Sequence, residues 1–394
     1  MKKILSVLTA LVLLVSAMTI TAVANDQNVV YVSTVEELES SLASNTKIVL
    51  SPGRYVFRAE KMMEYFDDGT AWEYELPKCL NINGLSNVTV EGNNQAEIVL
   101  DVGFEAVVRI ANSENIVISG LILGHDVPAF GCEGEGYVID VSHSKNTLIQ
   151  NCDLYGCGVT GINAWSGGDI TVNNTIIREC MVNGASFYSM NGDITFNDCT
   201  FTANAYDEYY AQTIPFFEFR QSEEISYVSQ VSINRCTFTG NKNVMFTDIT
   251  GDKSWLSVND CTFSDNAWET AVNVKIYDYG YWSNHFFEDQ RPVIVDGRTL
   301  VPLRGILESL GYEIVWNDAT RSATITKYDV PYAVEVAIDS NKILKGSETV
   351  EIDVPATIIN NRTMVPIRAI SEAFDMKVDW DNDSRSVLIY ADEN

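Results

Sequence analysis

Thr147-Leu-Ile-Gln-Asn-Cys-Asp-Leu154, Ile170-Thr-Val-Asn-Asn-Thr-Ile-Ile177, Ile194-Thr-Phe-Asn-Asp-Cys-Thr-Phe201, Val231-Ser-Ile-Asn-Arg-Cys-Thr-Phe238 and Leu256-Ser-Val-Asn-Asp-Cys-Thr-Phe263 are five versions of one pattern. Val88-Thr-Val and Ile116-Val-Ile extend it upstream, and the steps between successive copies are 28, 31, 23, 24, 37 and 25 residues. A period this short, lengthened only by insertions, is the mark of a repeat architecture. Apolar residues at the first and third positions of each copy have the period of a strand with one buried face. The fourth position is Gln150, Asn173, Asn197, Asn234 and Asn259, the sixth is Cys in four copies, and the eighth is Leu, Ile or Phe. If each copy is one coil of a parallel solenoid, equal positions stack about 4.8 Å apart. The first, third and eighth positions then point inward, and the Asn side chains bond one another in a ladder at the turn. A β-sandwich would have no reason to repeat the same residue type at the same position in every copy.

These columns resemble the right-handed parallel β-helix proteins of the pectate-lyase-like superfamily. The start of the domain is similar too, with a capping box from Thr34 to Glu37 before an amphipathic helix, then Lys47-Ile-Val-Leu-Ser-Pro-Gly-Arg-Tyr55 as a strand and turn. The helix is expected to cap the open end of the stack. The solenoid is placed at 27–282, with a linker over 283–290.

A second repeat occupies the C-terminal hundred residues. Asp296-Gly-Arg-Thr-Leu-Val-Pro-Leu-Arg304 returns sixty-four positions later as Asn360-Asn-Arg-Thr-Met-Val-Pro-Ile-Arg368, and each copy leads to a Trp (Trp316, Trp380) and an Arg (Arg321, Arg385). Pro302 suits the first turn of a helix whose apolar face is Leu303, Ile306, Leu307 and Leu310, and Gly311 ends it. In the second copy Asp375 stands where the first has Gly311. The spacing predicts strands over Tyr312–Trp316, Ala323–Thr326, Lys377–Trp380 and Ser386–Tyr390. This segment, 291–391, resembles the copper amine oxidase N-terminal (stalk) domain. The resemblance implies an accessory, adhesive or cell-envelope role and no copper, because the metal in that family belongs to a separate catalytic domain and His125, His143 and His285 all fall outside 291–391. Arg304 and Arg368 are expected as buried structural arginines braced by carboxylates, with binding of an anionic wall polymer as the alternative. The fold class is therefore mainly β, a right-handed parallel β-helix followed by a small α+β module of two repeats.

Lys2 and Lys3, the apolar run Ile4 to Val15 and Thr21-Ala-Val-Ala24 read as a secretory signal peptide over 1–24. The apolar run is too short for a membrane anchor. An exported protein, secreted or cell-wall associated and not transmembrane after cleavage, follows. The 394 residues carry 26 Lys+Arg against 54 Asp+Glu, a net charge of −28, which repels phosphate backbones and argues against nucleic acid as a partner. A hydrophobic fraction of 46% is enough to fill cores. Of the eight Cys, those at the sixth position stack three deep and cannot all pair; Cys157 and Cys180 are the better disulfide candidate, and buried free thiols are the alternative.

The superfamily resemblance implies a groove for acidic polysaccharide along one face. The larger insertions, Glu60 to Cys79 and Ala203 to Ser229, and a smaller one, Asn163 to Asp169, hold aromatic residues that can stack on sugar rings. Trp72, Tyr74, Trp165, Tyr206, Tyr209, Tyr210 and Phe216 are the candidate polysaccharide-binding residues, though each could instead pack its loop onto the solenoid. No catalytic set emerges. A lyase needs a base and cations such as Ca²⁺, yet Arg109, Lys145, Arg178, Arg220, Arg235 and Lys275 form no column. A glycosidase needs paired carboxylates, and the run Asp153, Asp198, Asp260 is interrupted by Asn174 and Arg235. The expected function is recognition of, or scaffolding on, polysaccharide, with Ca²⁺ the one cofactor considered. A lyase, hydrolase or epimerase acting in the groove is the alternative.

Overall fold

The computed structural model describes every residue except 1–26, 66–70, 77, 104, 127–135, 157–158, 221–228, 248–254, 279, 383 and 392–394, and for the strands Glu60–Tyr65 and Ala71–Leu76 it describes the backbone alone. The signal-peptide segment and Cys157 therefore lie outside the described residues. Among the described residues no helix is long and apolar enough to cross a membrane.

The first strand of each repeat pairs in parallel with the first strand of the next, in register from Thr147 to Ile170, Ile194, Val231 and Leu256. The short strands that follow, such as Thr200–Thr202 and Thr237–Thr239, stack as a second face of the same 15-stranded sheet. A separate six-stranded sheet forms the third face, running through Leu80–Asn83, Val108–Ala111, Tyr137–Ser142, Thr160–Trp165, Asn183–Tyr188 and Phe217–Arg220. Each coil thus turns through three faces around one apolar core. Phe201 lies flat on Phe238 with ring centroids 4.8 Å apart, and Phe238 on Phe263 at 5.0 Å, which is the strand spacing itself.

The turn columns behave as ladders. Asn197 donates to Asn173 (2.9 Å), Asn234 to Asn197 (3.0 Å) and Asn259 to Asn234 (2.9 Å), while Gln150 bonds Ser119 instead. A second Asn series, Asn204, Asn241 and Asn266, is fully enclosed and bonded from coil to coil. The Cys column makes the same bonds with sulfur. Cys199 and Cys236 each donate to the carbonyl two residues back, and the Cys236 and Cys261 sulfurs accept the amides of Cys199 and Cys236. Cys79, Cys152, Cys180, Cys199, Cys236 and Cys261 are free thiols, so Cys180 does not form the expected bridge and the buried-thiol alternative describes it.

At the N-terminal end the helix Val35–Ser40 begins at Thr34, whose hydroxyl accepts the Glu37 amide (3.1 Å). The Glu37 carboxylate reaches back to accept the amide (2.7 Å) and the hydroxyl (2.9 Å) of Ser33.

The C-terminal module has its own core, and Val272, Val274, Ile276 and Phe287 belong to it. Asn273–Asp278 pairs in parallel with Ser386–Tyr390, which carries the module's sheet across the boundary expected at 282. The repeated strands Arg298–Pro302 and Arg362–Pro366 pair antiparallel, Val301 opposite Val365. Pro302 and Pro366 cap the helices Leu303–Ser309 and Ile367–Ala373 from outside the first turn. After each helix the chain enters the left-handed region, at Gly311 (φ +80°) and at Asp375 (φ +58°). The Asp is held there by Tyr332 (3.0 Å) and Lys345 (2.8 Å). Arg304 and Arg368 are exposed, Arg304 pairing with Glu308 one helical turn away, so the expectation of buried arginines fails. Both occupy the second position of a helix whose apolar residues already fill the buried face.

Candidate functional site

The third face carries a polar column on its outer side. Register places Asn81, Arg109, Asp140, Asn163, Ser186 and Glu218 on successive strands, one above the next. The neighbouring column ends in Ser142, Trp165, Tyr188 and Arg220. Inward positions between them, Val141, Ala164, Phe187 and Phe219, and those just before, Ile139, Ile162, Ala185 and Phe217, pack in the core and fix the alternation.

Hydrogen bonds tie the column together. Arg109 pairs with Glu105 (2.5 Å) and lies 4.0 Å from Asp140. Asn163 donates to Asp140 (2.7 Å), and among the described residues its Oδ1 has no hydrogen-bond partner. Thr160 donates to Asn183 (2.6 Å), Tyr188 donates its hydroxyl to Glu218, and Arg220 pairs with Glu218 (2.6 Å). Burial holds the Asp140 carboxyl above the usual carboxylate range, with the Asn163 amide and Arg109 opposing the shift and Glu105 adding to it. Burial and the Glu218 carboxylate push the Tyr188 phenol up.

Against this face stands the short helix Glu208–Thr213, started by Asp207, whose carboxylate accepts the Tyr210 amide (3.0 Å). Between helix and sheet runs a cleft of about 440 Å³. Tyr137, Asn163, Asn183, Tyr188, Tyr210 and Glu218 line it, with Val159, Met181, Val182 and Ile214 as its apolar patches. The far side of the helix is fastened to the C-terminal module. Gln212 donates to the Phe287 carbonyl (3.0 Å) and accepts its amide (3.1 Å), and Tyr209 packs on Phe286 with ring centroids 5.2 Å apart.

The expected binding residues divide accordingly. Tyr210 lines the cleft, and Trp165 stands exposed in the column next to Tyr188, edge-on to His143 at 4.3 Å. Tyr209 is exposed but turned toward Phe286. Tyr206 is half-buried, its phenol pushed up by burial. Phe216 is a correction: it is fully buried against Phe201, Phe217 and Phe238, because the chain re-enters the stack at Pro215 and the inward position needs an apolar ring. Trp72 and Tyr74 lie on a strand of the hairpin Glu60–Tyr65 with Ala71–Leu76, opposite Glu64 and Met62, and their side chains lie outside the described residues. Asp140, Asn163, Ser186 and Glu218 escaped the sequence reading although a signal existed. Ile139-Asp-Val, Ile162-Asn-Ala, Ala185-Ser-Phe and Phe217-Glu-Phe recur at steps of 23, 23 and 32. The acids and bases of the second face neutralise one another, Arg178 on Asp153 (2.9 Å) and Arg235 on Asp198 (2.6 Å).

Three parallel faces around one core, one of them carrying a polar cleft, define a β-helix. The chain belongs to the right handed beta helix region family, whose model matches residues 77–286, just over half of it. Residues 283–389 match the copper amine oxidase N-terminal domain. That match takes in His285, which the expected boundary had excluded. His143 lies edge-on to Trp165, His285 lies edge-on to Phe287, and His125 bonds the Glu105 carbonyl (2.9 Å). Among the described residues no group of three or more His, Cys, Asp or Glu is placed to hold a metal ion.

The chain is 29% identical over 89 residues to a protease inhibitor of Brevibacillus choshinensis, a match that covers 23% of this chain and 27% of that protein. It thus spans about a quarter of the length of the curated relative it matches. Among solved structures it is similar to an alginate lyase from Paenibacillus sp. str. FPU-7 (12% identity, TM-score 0.41, covering 65% of this chain and 83% of that one). It is also similar to PfbA, a surface adhesin of Streptococcus pneumoniae (12% identity, TM-score 0.24, 71% and 88%). What those proteins bind or cleave is a property of those proteins.

Proposed function

We propose that this is an exported cell-envelope or extracellular protein whose β-helix recognises or scaffolds on polysaccharide in the cleft of the third face, without cleaving it. The observation that carries the reading is the register-matched column from Arg109 to Glu218, flanked by Trp165, Tyr188 and Tyr210. A sugar presents hydroxyls to polar groups at strand spacing and an apolar CH face to aromatic rings, and this wall offers both. Asp140 and Glu218 stand three strand spacings apart, about 14 Å, whereas the paired carboxylates of glycosidases work at about 5–9.5 Å. Arg109 and Arg220 are each committed to a carboxylate.

One observation favours a second, catalytic reading. A buried Asp140 carboxyl held above its ordinary range beside Glu105 and Arg109 is the setting of a general acid in a lyase, hydrolase or epimerase. Incubating the mature protein with uronate-containing and neutral polysaccharides, with and without Ca²⁺, separates the two. Retardation of a polysaccharide in affinity electrophoresis, lost on Tyr210→Ala or Trp72→Ala and without unsaturated products or new reducing ends, is the expected result. Turnover of any of them overturns it.

A further inference from the structure

We infer that the cleft selects neutral saccharides, taking their hydroxyls as hydrogen-bond donors, and excludes uronates; this rests on the reading of the cleft as a polysaccharide site. The inference follows from an inventory of what the walls still have to offer. Most of the wall's side-chain donors are spent internally. The Tyr188 hydroxyl goes to Glu218, the Thr160 hydroxyl to Asn183, the Asn163 amide to Asp140, and the Asn183 amide to Ser186 (2.9 Å). Acceptors remain. The Oδ1 of Asn163, a residue 95% buried on the cleft wall, has no partner among the described residues, and the Asp207 and Glu218 carboxylates keep lone pairs beyond the bonds they accept. A buried acceptor without a donor is costly, and a ligand that brings the donor removes the cost.

Charge points the same way. Among the described residues the lining includes Asp207 and Glu218 and neither Lys nor Arg. Arg109, within the column, and Arg220, in the neighbouring one, each already hold a carboxylate, at 2.5 and 2.6 Å. A uronate carboxylate is an acceptor only, so it would meet unfilled acceptors and like charge in a partly desolvated space. A pyranose bearing hydroxyls supplies donors, and its CH face matches Val159, Val182 and Ile214 beside the Tyr210 ring.

The test uses the full mature chain in affinity electrophoresis and calorimetry, without Ca²⁺, against xyloglucan, galactomannan and mixed-linkage glucan on one side and polygalacturonate and alginate on the other, with chitosan as a cationic control. Binding of at least one neutral polymer at least tenfold tighter than either uronate polymer is expected. Asn163→Leu should weaken it about tenfold, since every factor of ten is about 1.4 kcal/mol. Circular dichroism checks that variant's fold, and Tyr210→Ala, at the exposed rim, gives a second route to the same loss. Asp207→Asn, which keeps the helix cap, should narrow the gap between neutral and uronate polymers. Preference for polygalacturonate, alginate or chitosan overturns the selectivity and leaves the polysaccharide reading standing. Binding of no polymer overturns both. Neutral binding that survives both Asn163→Leu and Tyr210→Ala places the ligand elsewhere and overturns the inference.

Discussion

The solenoid and the C-terminal module are both built from sequence repeats, but the repeats are related by different operations. In the solenoid one copy is carried to the next by translation, so equivalent residues touch: Asn197 bonds Asn173 and Asn234, and Phe238 lies on Phe201 and under Phe263. In the module the copies meet antiparallel, so equivalents face each other only near the centre, at Val301 and Val365, while Leu300 faces Pro366 and Pro302 faces Met364. Translation therefore rewards identical residues with ladders and leaves each rung dependent on two neighbours. Rotation rewards complementary surfaces and leaves each copy free to solve local problems its own way, as Gly311 and Asp375 do at the same left-handed position.

That difference can be attacked by substitution. All eight Cys lie between 79 and 261, so thiol labelling follows opening of the solenoid alone. Native Cys152 and Cys180, pushed up to about 11 and about 12 by burial, should stay unreactive near neutral pH until their coils open. The largest effect is expected for Asn241→Leu. Asn241 donates to Asn266 (2.8 Å) and the Phe201 carbonyl (3.1 Å) and accepts from Asn204 (2.9 Å), so the change strands groups in two neighbouring coils. At about 1–3 kcal/mol per stranded group, a loss of about 5 kcal/mol is expected in denaturant titration, with early thiol exposure; a loss near 1 kcal/mol would break the ladder argument. Phe238→Ala, which empties the middle of the ring stack, should cost about 4 kcal/mol in the same assay.

In the module the effects should be smaller and confined to one copy. Gly311→Ala puts a Cβ on a residue at φ +80° with only the Lys327 side chain in ordinary contact at 3.9 Å, so about 1 kcal/mol is expected from backbone strain alone, with thiol labelling unchanged. Asp375→Gly relieves the backbone but removes the contacts of its exposed carboxylate with Tyr332 and Lys345, and a net change within about 0.5 kcal/mol is expected in thermal melts.

The smallest effect is one of pH. Asp140 has its carboxyl raised in the folded state, chiefly by burial, so the folded chain binds a proton more readily than the unfolded one. Stability then falls as pH rises from the unfolded carboxyl value toward the folded one. Asp140→Asn should raise Tm at about pH 7 and leave it unchanged at about pH 3, below the ordinary carboxyl range. A Tm lowered equally at both would show that Asp140 acts through its shape and not its charge.

Much of the fold was legible because translation writes itself into sequence. The columns at Ile194, Phe196, Asn197, Cys199 and Phe201 announce strand, core, ladder and second core position in order. The cleft was harder to read because its column sits on the third face, after insertions that shift the spacing, and its chemistry changes at every step from Arg109 to Glu218. Aromatic content drew attention to Phe216, yet an aromatic residue in an insertion is read the same way whether it faces a ligand or the core. Only the register that returns the chain to the stack at Phe217 tells the two apart.

The sequence by itself determined that this chain coils with a period near 24 residues around an apolar core, that turn asparagines and cysteines stack, and that a second, unlike repeat follows. Those facts depend on side-chain period and spacing, which are local. Which face would gather Arg109, Asp140, Asn163, Ser186 and Glu218, and which insertion would fold over it, was decided by tertiary structure. The reason is that residues 23 to 32 positions apart become neighbours only once parallel pairing fixes their register, and the helix over the cleft is held by distant partners, Ala211 by Val244 and Gln212 by Phe287.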